Sequence, residues 1–138
     1  MVATLAQIRT GLAQRLASIT GLRTYAYMHP KPEPPAICVS GPKSGTGYGT
    51  TLDGLWTVLF DVWVFANGAD LIRAQQTLDL YLDNSGTKSI PAAIEADPDL
   101  AGLPVSCRVV SVSEPPRLVD TAGGQLLGAA LSVECLAS

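Results

Sequence analysis

Between Leu55 and Ala66 the chain runs for twelve residues with a single charge, Asp61. The stretch is too short to cross a bilayer, which takes about 20 apolar residues. As a strand it is apolar on both alternating faces, with Trp56, Val58, Phe60, Val62 and Val64 on one and Leu55, Thr57, Leu59, Asp61, Trp63 and Phe65 on the other. Such a strand has to lie at the centre of a sheet or be covered on its outer side by a partner. Trp56 and Trp63 are seven positions apart and so face opposite ways, which leaves one indole needing cover beyond the main core layer, from an added helix or another subunit.

The remainder of the composition points the same way. Charged residues make up 15% of the 138 residues, against about 25% in a common soluble domain, while apolar residues reach 47%. A surface diluted with glycine fits these figures, and so does a subunit whose flanks are covered by neighbours in an assembly. The length suits one domain over 1–138. With a formal net charge of −3 and no run of Lys or Arg, the chain lacks the electrostatic footprint of a nucleic-acid binder. The opening residues carry no basic segment followed by an apolar one, so no secretory leader is expected. Cys38, Cys107 and Cys135 are odd in number, far apart and set in apolar runs, which reads as reduced core thiols of a protein folded in cytoplasm.

Leu5, Ile8, Leu12, Leu16 and Ile19 form the stripe of a helix over Ala3–Ile19, with Thr4 as a candidate N-cap, Gly21 as its stop, and Arg9 and Arg15 off the stripe and expected to face water. Strands follow at Leu22–Met28 and Ala36–Ser40, separated by a proline-rich link, His29 to Pro35. After the central strand, a helix is expected over Ala69–Leu82 and a short one capped by Ser89 through Ala96, with Pro91 in its first turn. Val105–Ser113 and Gln125–Leu136 read as two more strands joined by a long connection, Glu114–Gly124, rich in Pro and Gly. Clustered strands argue an α+β domain: a largely antiparallel or mixed sheet of about five strands with an N-terminal helix and one or two further helices on one side.

Motifs with chemical meaning fail one by one. The glycine-rich stretch Gly41–Thr51 includes Lys43, but a phosphate loop needs Gly-Lys-Ser/Thr opening a helix, and here Lys43 follows Pro42 and a strand follows the loop. Ser40-x-x-Lys43 and Ser85-x-x-Lys88 lie in loops, whereas lysine activation of serine at that spacing needs a helix. His29 is the sole histidine, so neither a triad nor a zinc ligand set can be assembled around it. Glu95, Asp97 and Asp99 alternate like calcium ligands, yet Leu100 takes the place of the required glycine and Ser106 that of the bidentate glutamate. Asp61, between aromatic residues, reads as a ladder-edge or interface group, and Pro32 to Pro35 as a rigid link. No catalytic residue, cofactor or metal is expected, and a small hydrolase or nucleotide-binding enzyme is a remote alternative.

The order and spacing of several phrases do carry a resemblance. The helix Leu5–Leu16, the run Gly21 to Tyr25, Pro34 to Val39 after a proline-rich link, the aromatic central strand, Leu78 to Leu82, Ser85-Gly86, Ile90 to Asp97 and Gly128 to Cys135 together resemble tail terminator proteins of long-tailed bacteriophages. The resemblance implies a structural virion protein at the neck of the tail. Such a protein forms a ring of copies of itself, a hexamer, on the end of the tail tube, where it stops polymerisation and meets the head-tail connector protein. The implied partners are thus self, the tube protein and the connector, with no membrane and no sequence-specific nucleic acid. An adaptor between connector and terminator is the nearest alternative. Segments Gly41–Gly54 and Glu114–Gly124 are the expected contact regions, with Lys43, Tyr48, Trp63, Arg117 and Asp120 as candidate interface residues.

Overall fold

In the computed structural model, which describes residues 4–19, 21–42, 56–100, 102–103, 105–122 and 124–137, Thr4 opens the first helix as a capping box. Its hydroxyl accepts from the Gln7 amide at 3.1 Å while its own amide donates to Gln7 Oε1 at 2.9 Å, satisfying two amides that have no partner inside the helix. Helix α1 spans Leu5–Leu16 and buries Ile8, Leu12 and Leu16 completely. It ends short of the expected Ile19 and before Gly21: Ser18 and Ile19 turn back with amide bonds to Arg15 and Leu16, and Ile19 still packs inside.

Strand β1 (Arg23–Tyr25) is shorter than the expected Leu22–Met28, with Tyr27 and Met28 exposed beyond it, and it pairs in parallel with β2 (Ala36–Ser40). Strand β3 (Trp56–Asn67) pairs antiparallel with β2 and with β5 (Gly124–Ala137) along its whole length. Strand β4 (Val105–Thr121) closes the order β1-β2-β3-β5-β4. Helix α2 (Leu71–Leu82) starts at Asp70, whose carboxylate accepts from the Arg73 amide at 3.1 Å. Helix α3 (Ile90–Ala96) starts at Ser89, whose hydroxyl accepts from Ala92 at 3.1 Å and donates to the Asp83 carbonyl, with Pro91 in the first turn.

The register sorts every strand residue onto a face. Ile37, Val39, Val58, Phe60, Val62, Val64, Ala129, Leu131, Val133 and Cys135 lie on one side, in a single cluster with the buried residues of α1, α2 and α3. All three helices therefore cover the same face of a mixed five-stranded sheet, the α+β arrangement expected.

Two expectations are corrected. Glu114–Gly124 is no long connection: β4 continues to Thr121, which pairs with Gly124 of β5. Pro115 and Pro116 sit in a bulge, where the partner shifts from Glu114↔Ala130 to Arg117↔Gly128 and two proline residues oppose one residue of β5. Proline is tolerated there because β4 is an edge strand and a bulge leaves residues outside the ladder.

Arg9, expected to face water, is only 9% exposed. Its guanidinium donates to the carbonyls of Ala26 (3.1 Å), Val39 (2.9 Å) and Gly41 and lies 4.5 Å from the Tyr27 ring centre and 5.3 Å from that of Phe60. A planar group with five donors satisfies carbonyls left at strand ends and stacks on aromatic faces at once. Arg15 is also held, donating from Nε to the Ala93 carbonyl of α3 at 2.5 Å.

Candidate functional site

Among the described residues, no helix lies on the opposite face of the sheet. Its centre is nonetheless apolar: Cys38, Phe65 and Leu126 are buried there, with Tyr25, Trp63 and Val119 packed against them. The burial comes from size contrast between neighbouring strands. β5 presents Gly128 and Ala130 opposite Phe65 and Trp63, so the aromatic rings lie down over small residues. A Cβ on Gly128 would stand 3.0 Å from the Phe65 ring and 3.1 Å from Val119, so these two side chains meet over the bare glycine backbone.

Trp63 stacks on Phe65 with ring centres 5.9 Å apart and planes 9° from parallel, and the Arg117 guanidinium sits 5.5 Å from the Trp63 ring centre. Arg117 is itself steadied by Glu114, 3.6 Å away. Trp63 remains half-buried, with nothing from α1, α2 or α3 over it, whereas Trp56 packs against the main core. The two indoles do face opposite sides of β3, as their spacing requires.

Toward the other end the face turns polar. Asp61 Oδ1 accepts from Ser113 Oγ at 2.9 Å, a bond that reaches over β5 at Ser132, and Arg108 pairs with Glu134 across the β4–β5 ladder at 3.2 Å. Burial pushes the Cys38 thiol up, only partly opposed by its contact with the His29 backbone, so it is a poor nucleophile at neutral pH. His29 accepts from the Lys31 amide at 3.0 Å and packs its ring 4.7 Å from Tyr25, with no serine or carboxylate in a triad arrangement among the contacts described. Among the described residues, no three His, Cys, Asp or Glu side chains gather into a set able to hold a metal ion. Leu100, at the would-be calcium glycine, adopts a positive φ of 51° with its side chain buried against α1.

Of the residues singled out from the sequence, the fold brings Trp63 and Arg117 into contact. Asp120 lies farther along β4, exposed and paired with Gln125, outside that cluster. Lys43 and Tyr48 fall outside the described residues. Phe65, Glu114 and Gly128 also contribute and belong to no sequence motif. Phe65 shares its parity with Trp63 and was legible, whereas Glu114 and Gly128 gain their meaning only from the β4–β5 register. What this face offers is contact chemistry: an aromatic centre, an arginine lying on it, and a polar margin. Comparison with protein-family models and with curated proteins gives no match to this chain.

Proposed function

We propose that this chain is the subunit of a ring that caps the tail tube of a long-tailed bacteriophage, ending tube growth and presenting a surface to the connector beneath the head. The order and spacing of its sequence phrases suggest the family. The observation that carries the physical side is the sheet face on which, among the described residues, no helix lies, with Trp63 half-buried at its centre and a long strand, β4, beside it. β4 stands last in the sheet, so among the described residues one side of its backbone faces no strand, and along it Val110 and Val112 are 52% and 49% exposed. A subunit flanked by copies of itself suits sparse charge on its sides, because a buried unpaired charge costs several kcal/mol. Stacked aromatic groups with an arginine upon them are the side chains that dominate contact surfaces.

Interrupting the gene in the phage that carries it tests the assignment by electron microscopy of the particles. Tubes of excessive and variable length, unattached to heads, are the expected result. Tails of normal length that fail to join would assign the chain to the adaptor position instead, and normal infectious particles would refute both.

A further inference from the structure

Cys107 and Cys135 are direct cross-strand partners in the β4–β5 ladder, with their sulfurs 2.7 Å apart and both residues buried. The amide of Cys107 donates to the Pro98 carbonyl at 2.8 Å, which points its backbone away from β5 and makes the two cysteines a non-hydrogen-bonded pair. In such pairs the Cα atoms approach to about 4.5 Å, inside the range of roughly 4.4 to 6.8 Å that a disulfide spans. The backbone therefore already holds both residues where a bond between them needs little movement. Cys38 is on the opposite face and out of this cluster.

The pair is also reachable. A cavity of about 280 Å³ opens beside β4, with Cys107 in its wall next to Pro91, Glu95, Pro98 and Arg108. A volume of this size admits a molecule as small as a peroxide. Cys135 lies behind Cys107, toward β3.

We propose that Cys107 and Cys135 are an oxidative modification site, at which hydrogen peroxide entering the cavity converts the pair into a disulfide joining the edge strand β4 to β5. Cys107 Sγ attacks one peroxide oxygen, the O–O bond breaks, and water leaves with a sulfenic acid formed on Cys107. Cys135 Sγ then attacks that sulfur, the S–O bond breaks, and a second water departs. Two thiols lose two electrons and two protons, and the peroxide is reduced to two waters. The contact with Cys107 and then burial hold the Cys135 thiol above its ordinary titration range, so Cys107, which lines the cavity, is the sulfur that meets the peroxide first. Under the reducing conditions of cytoplasm the pair stays as thiols. The chemistry is the same whether or not the chain forms rings.

The test uses the full chain carrying Cys38→Ser, folded and treated with hydrogen peroxide, then unfolded, alkylated and weighed intact. The expected product is a monomer lighter by two hydrogens that takes up no alkyl group, restored to two alkylated thiols by dithiothreitol. Adding Cys107→Ser or Cys135→Ser abolishes that product. Oxygen added to one cysteine with the other still alkylated would overturn the proposal, as would a disulfide-linked dimer. So would a folded chain that keeps both thiols under conditions where the same chain in urea closes the bond.

Discussion

Replacing Arg9 with leucine is expected to lower the unfolding free energy by about 3 kcal/mol, read as a shift of the urea midpoint with little change in slope. Three carbonyls, those of Ala26, Val39 and Gly41, receive their bonds from this one guanidinium. Hydrogen bonds to a charged group contribute roughly 1.5 to 3 kcal/mol each, and a buried acceptor stripped of its donor costs about 1 to 3 kcal/mol. Against that, leucine restores apolar contact with Tyr27 and Phe60 and removes the cost of burying a charge, several kcal/mol. The opposing terms leave a net loss because the carbonyls stay behind in the same place, at the ends of β1 and β2. Arg9→Lys should fall between, since a single ammonium cannot reach three separated carbonyls and stack on two rings. A loss below about 1 kcal/mol for leucine would mean that water replaces the guanidinium and that Arg9 does not clamp these strand ends.

Gly128→Val should cost about 2 kcal/mol and disturb the helix-free face while leaving the helix-covered core intact. The added Cβ meets the Phe65 ring at 3.0 Å and Val119 at 3.1 Å, closer than ordinary packing allows. Overpacking costs typically 1 to 3 kcal/mol, and the ring cannot swing aside freely because Trp63 is stacked on it. Valine has the better strand propensity, which returns up to about 1 kcal/mol, so the strain has to exceed that to show. Phe65→Leu makes room at the same spot. The double variant Gly128→Val with Phe65→Leu should therefore be more stable than the sum of the singles by at least about 0.5 kcal/mol, in a cycle measured by denaturant melts. Additive effects would place the strain elsewhere. A change in tryptophan emission in Gly128→Val would report the altered surroundings of Trp63.

Local chemistry made much of the fold legible. Thr4, and Ser89 with Pro91, are local cap signals, so α1 and α3 start where those residues stand. The parity of Trp56 and Trp63 likewise needs only the pleat of a strand. The far half of β4 was hidden, because Pro115, Pro116 and the two glycines after Ala122 carry loop signals, and what overrides them is tertiary: the place of β4 at the sheet edge and its bulge against β5. With that stretch taken as a loop, Arg117 could be named as a polar anchor but not set upon Trp63. Arg9 failed for a related reason. Its charge and its position off the apolar stripe argue for solvent, while the carbonyls that receive it come from residues 17, 30 and 32 positions away. Asp61 was read as a ladder-edge or interface group, and its bond from Ser113, 52 positions on, sits at the polar margin of the face.

Adding the purified chain to tail tubes of the same phage and imaging their ends by electron microscopy tests the proposed role most directly. A ring seated on one end of each tube, lost when Trp63→Asp is introduced without loss of folding, is the result this account predicts. Tube ends left bare by the folded wild-type chain would contradict it.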